Sequence, residues 1–221
     1  MNQPHLLPLV LLLGGLVGSG AAQAVVLDFD ALPVGFLSSP TSLQGFTLSH
    51  SNLVGTALVS SGFDFCGPPC PDNGTAYLLS QSSAGFLFEE GSLAPFDLVA
   101  FDGAEAHEGQ TDTWAAEILV VGTLSGGGTV QATFAPDFVQ DGEGGAADFE
   151  SFVLPASFSD LVSVEFTGQG SVEPDQKFTI DNVEVISSVP EPAHALLLVT
   201  GALVMLSAQR LRSPLGERQP C

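Results

Sequence analysis

Short runs of alternating apolar and polar residues recur between Val25 and Val189, separated by Gly, Pro and Asn. No segment in this range keeps the period of an amphipathic helix. Thr129–Ala135 and Leu161–Thr167 show the alternation most clearly, with apolar side chains at every second position. Strands of this kind have one buried face and one wet face, as in antiparallel sandwiches. The pattern therefore predicts an all-β fold built from two antiparallel sheets.

The expected strands contain or flank nearly all of the 16 Phe residues, which supply the large apolar volume that two stacked sheets need. They are Val25–Ala31, Gly45–His50, Thr56–Ser60, Ala76–Ser80, Gly85–Glu89, Phe96–Phe101, Trp114–Gly122, Thr129–Ala135, Phe149–Leu154, Leu161–Thr167 and Lys177–Ile186.

Two longer acidic segments, Asp102–Thr113 and Pro136–Asp148, are expected to be exposed loops between strands. In the first, His107 stands near Glu105 and Glu108, which suggests a metal ligand set. The spacing matches no standard zinc motif, so a solvated acidic loop is the favoured interpretation. Asn73-Gly74-Thr75 fits a glycosylation sequon and is interpreted as a turn.

The N-terminus has the order of a secretory signal peptide. Leu6–Val17 is apolar, Gly18–Gly20 interrupts it, and Ala22-Gln23-Ala24 has the small-x-small form of a signal-peptidase site. Residues 1–24 are therefore expected to be removed by signal peptidase after Ala24. The segment departs from the usual pattern in lacking Lys or Arg ahead of the apolar run.

The C-terminal tail has three parts: a Pro190-Glu191-Pro192 break, an apolar run over Ala195–Ala208, and the basic pair Arg210 and Arg212. The run is short for a membrane span, which needs about 17 to 25 residues. This order resembles the PEP-CTERM sorting signal, which implies recognition by an exosortase and a single transmembrane helix that anchors the chain until it is processed. A buried core helix after a Pro-rich turn is the alternative, and the basic residues just past the run disfavour it.

These ends define residues 1–24 as signal peptide, 25–187 as one β-sandwich domain, 188–212 as sorting signal with transmembrane helix, and 213–221 as cytoplasmic tail. Of the four basic residues, only Lys177 lies in the domain, and the chain has a net charge of −21. Because basic residues remain on the cytoplasmic side of a membrane, the domain is expected to be exported. Its acidity repels nucleic acid and attracts divalent cations or basic partners, although acidity for solubility alone explains it equally well.

Cys66 and Cys70 form an even pair in the exported domain, since Cys221 lies beyond the anchor. In an oxidising compartment they are expected to form a small surface disulfide loop. A redox or zinc role is disfavoured because thioredoxin-type sites have two intervening residues and no second ligand pair lies nearby.

Several segments together resemble the jelly-roll domains that often precede PEP-CTERM signals, which are similar in turn to carbohydrate-binding modules. They are Phe96–Val99 with its acidic loop, Asp141–Gly145, Phe149–Pro155, Leu161–Phe166 and Phe178–Val185. The resemblance implies a jelly-roll sandwich and contact with extracellular polysaccharide, and it brings no catalytic residues.

The resulting interpretation is a non-enzymatic protein of the cell envelope or extracellular matrix, associated with biofilm exopolysaccharide. A glycan-binding module is one alternative. Trp114 and Tyr77 are the only Trp and Tyr, so an aromatic sugar platform has few candidates, and Trp114 fits a core position equally well. A glycoside hydrolase is the other alternative, because paired carboxylates are abundant. No Ser lies in a nucleophile elbow.

The first and last strands carry one further hypothesis. Asp28 and Asp30 would share the outer face of Val25–Ala31, and the apolar positions of the last strand change parity, which predicts a β-bulge at Asp181-Asn182. First and last strands of a jelly roll commonly lie side by side, so Asp181 is expected near Asp28 or Asp30. Such a cluster could bind calcium. Solvated acids on an outer face are the alternative.

Overall fold

The computed structural model describes residues 23–37, 40–50, 56–61, 71–81, 84–105, 114–139, 142, 147–170 and 176–187. All of them belong to one structural unit, Ala22–Ser188. The predicted disulfide pair, the sorting signal and nearly all of the signal peptide lie outside these residues. The part of the chain that is described contains no apolar helix of membrane-spanning length.

Thirteen strands form within the described residues, and every expected strand overlaps one of them. They are β1 Gln23–Leu27, β2 Gly35–Phe36, β3 Thr41–Leu43, β4 Phe46–His50, β5 Thr56–Ser61, β6 Ala76–Gln81, β7 Phe86–Glu90, β8 Phe96–Glu105, β9 Glu117–Leu124, β10 Thr129–Phe134, β11 Glu150–Val153, β12 Leu161–Gln169 and β13 Phe178–Ser187. The short strands β2 and β3 were not expected, because two or three residues are too few to show alternation.

The strands divide into two antiparallel sheets, as expected. The first has the order β2-β5-β6-β13-β8-β11, with β1 beside the C-terminal half of β13. The second has the order β3-β4-β7-β12-β9-β10. A single bridge between Phe96 and Leu161 joins them. The pairing of the first strand with the last is confirmed, with Leu27 opposite Val183.

Phenylalanine rings from the two sheets meet in the space between them. Phe101 of β8 packs edge-on against Phe166 of β12 at 5.1 Å between ring centroids, and Phe86 of β7 against Phe178 of β13 at 5.6 Å. These rings are fully buried. Their contacts confirm the sandwich and the expectation that Phe fills its core.

The predicted bulge in the last strand is confirmed. The register of β13 against β8 shifts between Asp181 and Glu184, and Asn182 has a φ of 46°. The extra residue allows both Ile180 and Val183 to face the core, although an unbroken strand would point them to opposite faces.

The predicted strand Val25–Ala31 was too long, because β1 ends at Leu27. A turn follows, closed by a hydrogen bond from the Leu32 amide to the Phe29 carbonyl. Asp28 and Asp30 therefore do not share a strand face. The apolar residues at alternate positions, Leu27 and Phe29, suggested a longer strand. Both side chains are buried, but Leu27 is the last residue of β1 and Phe29 lies in the turn that follows.

Candidate functional site

Most of the predicted processing and disulfide residues lie outside the described part of the chain. These residues are Ala22, Cys66, Cys70, Pro190, Glu191, Pro192, Arg210 and Arg212, and their roles stay predictions. Ala24 lies in β1 opposite Ile186. Cleavage after Ala24 leaves the three pairs of Val25–Leu27 with β13, so β1 still closes against the last strand.

Asp181, at the bulge, is fully buried and accepts three hydrogen bonds. Its Oδ2 accepts from Asn73 Nδ2 and from Thr75 Oγ1, both at 2.8 Å, and its Oδ1 accepts from the Asn182 amide at 2.7 Å. Burial raises the pKa of Asp181 despite these donors, and the charge of Asp102 adds to the effect. The carboxylate ties the 73–75 segment to the last strand.

The same segment is the turn that the sequence predicts at Asn73-Gly74-Thr75. Gly74 has a φ of 82°, and the Thr75 amide donates to Asn73 Oδ1 at 3.2 Å. Such a local side-chain bond replaces a backbone turn bond, and Gly tolerates the left-handed conformation. The turn interpretation is confirmed.

The three aspartates of the calcium hypothesis have separate partners. Asp30 Oδ1 accepts from the Ala76 amide at 2.8 Å, so Asp30 and Asp181 hold neighbouring residues of one segment. Asp28 Oδ2 instead accepts from Gln44 Nε2 at 3.0 Å. Among the described residues, no group of three or more His, Cys, Asp or Glu side chains is placed to hold a metal ion. The calcium site stays a prediction.

Trp114 and Tyr77, the two candidate sugar platforms, are both buried. Trp114 is 6% exposed, and a parallel bridge to Lys177 fixes its backbone. Tyr77 packs edge-on against Phe149 in a small cluster on the outer side of the first sheet. The structure thus assigns Trp114 to a core position, and neither ring presents a face to solvent.

Phe138 is the exposed ring at this end of the sandwich. It is 42% exposed and stacks on Trp114 with 7° between the ring planes and 6.2 Å between centroids. Its φ of 61° is rare for a bulky residue, and such conformations concentrate at functional sites. We call residues 137–139 the Phe138 turn.

Two carboxylates hold the Phe138 turn. The Asp137 amide donates to Glu150 Oε1 at 2.7 Å, and the Val139 amide donates to Asp137 Oδ1 at 2.8 Å. Glu150 opens β11, so the turn is tied to the edge of the first sheet. These bonds satisfy the backbone on both sides of Phe138 and fix the direction of its ring.

Glu105 lies beneath the same region and is only 1% exposed. Its pKa is raised to about 7, chiefly by burial; its own backbone amide lowers the pKa, and the negative charges of Glu150, Asp137 and Asp148 contribute to the rise. Its Oε1 has no hydrogen-bond partner. Glu105, Asp137, Asp148 and Glu150 form what we call the acidic cluster.

The expectation that Glu105 belongs to an exposed loop was wrong. β8 continues to Glu105, which lies opposite Phe178 of β13. The burial of this carboxylate depends on residues far away in sequence, so local sequence could not reveal it. His107 and Glu108 lie outside the described residues. Phe138 was not singled out either, although an aromatic residue among acids and glycines was a usable signal.

No protein-family model matches the sequence, and no curated protein does. Solved structures with a similar fold include a family 29 carbohydrate-binding module from Piromyces equi, with 9% identity and a TM-score of 0.44, covering 79% of this chain and 95% of that one. Another is a Caldicellulosiruptor saccharolyticus module in complex with mannohexaose, with 16% identity, a TM-score of 0.35, and coverage of 75% and 97%. An exo-beta-agarase matches with 10% identity and a TM-score of 0.40, covering 72% of this chain and 26% of that one.

At such low identity and TM-score, these neighbours bring no ligand or activity to this chain. Its chemistry has to come from its own residues. At the Phe138 turn, one ring face is available for stacking, and carboxylate oxygens beside it can only accept hydrogen bonds while ionised.

Proposed function

We propose that this chain is an exported, non-catalytic module that binds extracellular polysaccharide through the Phe138 turn. The observation that supports this most is the exposed Phe138 ring, stacked on buried Trp114 and flanked by the acidic cluster. An aromatic face packs against the C–H face of a pyranose, while carboxylates accept hydrogen bonds from its hydroxyl groups. A few polar groups around an apolar contact are the usual composition of a ligand site.

The charge of the site restricts the glycan. With a net charge of −21 on the chain and the carboxyl groups of Asp137, Asp148 and Glu150 around the turn, an anionic polysaccharide is repelled. A neutral glycan is accepted, and an amine-bearing glycan is attracted. The ligand class is therefore a neutral or amine-bearing polysaccharide.

Binding of the exported protein to neutral, amine-bearing and uronic-acid glycans on an array tests the proposal. Phe138→Ala should weaken binding about tenfold, which corresponds to about 1.4 kcal/mol. Phe36→Ala is the matched control, because Phe36 is 76% exposed on β2, at the far edge of the first sheet. Equal binding by the Phe138→Ala variant, or binding only to uronic-acid glycans, contradicts the proposal.

A glycoside hydrolase is the second candidate, and Glu105 is the observation that favours it. A buried carboxyl group with a pKa near 7 has the properties of a general acid. A general acid must reach its substrate within hydrogen-bond distance, and the 1% exposure of Glu105 argues against such contact. Glycan turnover that disappears in Glu105→Gln would establish the hydrolase instead.

We infer that the PEP-CTERM-like tail delivers the module to the envelope or extracellular matrix by way of an exosortase. The support is the order of Pro190-Glu191-Pro192, the apolar run and the Arg pair. The intact mass of the exported protein tests this. A chain that begins at Val25 and ends near Pro192 is expected, whereas an exported chain that retains Arg212 contradicts sorting.

A further inference from the structure

The edge strand β10 has an open side. In the described part of the chain, β10 pairs only with β9, in an unbroken register from Thr129 opposite Thr123 to Phe134 opposite Ile118. Thr129, Gln131 and Thr133 are exposed, and the residues between them are partly buried towards the core. An edge of this kind offers a row of backbone N–H and C=O groups to another strand.

Proteins usually protect such edges, and among the described residues β10 itself carries no charge, proline or bulge. Natural edges are shortened, bulged, or supplied with charged residues and proline. The opposite edge of the same sheet is β3, with only three residues, and the first sheet ends at β2, with two. β11 is short and begins with Glu150. By contrast, β10 has six residues, contains neither charge nor proline, and has no register shift.

We propose that β10 pairs antiparallel with β10 of a second copy of this chain. A two-fold axis perpendicular to the sheet at Gln131 places Gln131 opposite its own copy and Thr129 opposite Thr133. The outer faces of both copies then lie on one side, and the core-facing residues lie on the other. The second sheets of the two copies then form one continuous sheet.

Charge does not oppose a second copy at this edge. Each chain has a net charge of −21, so two copies repel each other wherever carboxylates meet. At this edge every facing pair is neutral, and the Gln131 amide both donates and accepts hydrogen bonds. Across the sheet, Gln131 lies opposite Val121 of β9, and Val121 lies opposite Glu165 of β12, which is the carboxylate in this row. The two copies of Glu165 would be about 24 Å apart at the usual strand spacing, well beyond the screening length at physiological salt.

The contact is small. Five paired residues in each copy bury less than a standard protein interface, so association should be weak and depend on concentration. Sedimentation velocity of the exported protein over a concentration series in about 0.15 M NaCl should show a monomer–dimer equilibrium. A wild-type protein that stays monomeric up to millimolar concentration overturns the proposal.

Gln131→Glu tests the pairing itself, because it preserves the shape of an exposed side chain and places two like charges opposite each other. The variant should weaken dimerisation at least tenfold in 0.15 M NaCl, and much of the loss should be recovered at about 1 M, where charges are screened. Ser42→Asp, at the exposed middle position of β3, is the matched control and should dimerise like the wild type. Dimerisation of Gln131→Glu equal to the wild type, or a loss that high salt leaves unchanged, overturns the proposal.

Discussion

Asp181 and Glu105 are both buried carboxylates on the paired strands β13 and β8, and they differ in their hydrogen bonds. Asp181 accepts bonds from Asn73, Thr75 and the Asn182 amide, whereas Glu105 Oε1 has no partner. Burial alone penalises the charge of each group. Burial raises the pKa of both groups, and the hydrogen bonds distinguish their roles: Asp181 connects two segments of the fold, whereas the pKa of Glu105 rises to about 7.

Asp181→Ala tests most strongly whether the hydrogen bonds to Asp181 stabilise the fold. The substitution leaves the Asn73 side-chain amide and the Asn182 backbone amide without this acceptor, while the Thr75 hydroxyl retains Asn73 Oδ1 at 2.6 Å. It should lower the free energy of unfolding by about 3 to 5 kcal/mol. Urea unfolding measures the change. Asp181→Asn, which keeps the shape and one acceptor oxygen, should lose less. A loss below about 1 kcal/mol would show that the segment does not depend on this carboxylate.

Glu105 should make stability depend on pH in the opposite sense to an ion-paired acid. Its pKa is about 7 in the folded chain against an ordinary value of 4.5, so the folded state binds the proton more tightly. The stabilisation is complete below about pH 4.5 and is lost as the pH rises through about 7. The loss amounts to at most about 3 kcal/mol.

Glu105→Gln should therefore be more stable than the wild type at pH 8 and should flatten the change between pH 5 and 8. Thermal melting across this range measures both effects. Glu117→Gln, at an exposed position of β9, is the control and should follow the wild-type curve. Parallel curves for the wild type and Glu105→Gln would contradict the role assigned to the buried carboxyl group.

Thr75→Val tests a single donor to Asp181. It removes the hydroxyl group that lies 2.8 Å from Asp181 Oδ2 and leaves the Asn73 bond, so the expected loss is about 1 kcal/mol. Thr123→Val on the outer side of β9 provides the matched control, with an expected change near zero. A double-mutant cycle with Asp181→Ala should show that the two effects are not additive.

Calcium should give the smallest effect. Asp30 and Asp181 bind neighbouring residues of one segment, Ala76 and Thr75, but Asp28 is bonded to Gln44. Melting with calcium and with chelator should differ by no more than about 3 °C, which corresponds to about 1 kcal/mol for a chain of this size. Asp181→Ala should abolish that difference. Identical melting of the wild type in both conditions removes the calcium hypothesis.

Much of the architecture could be predicted because alternation is a local record of burial. The strands, the Phe-rich core and the bulge all follow from which neighbouring residues are apolar, as Ile180 and Val183 show at the bulge. The turn at Asn73-Gly74-Thr75 follows from the properties of Gly74 and the Asn73 side chain. These features need no knowledge of distant parts of the chain.

The candidate site could not be predicted in the same way, because it depends on residues far apart in sequence. Glu105 lies opposite Phe178 of β13, Glu150 holds the Phe138 turn, and the Phe138 ring stacks on Trp114. Asp28 and Asp30 separate because a turn replaces the end of the predicted strand. The sequence determined which residues can form strands and a core, since that information is local. Only the tertiary structure decided which carboxylates lose water and which find donors, because solvation depends on what the rest of the chain places around each group.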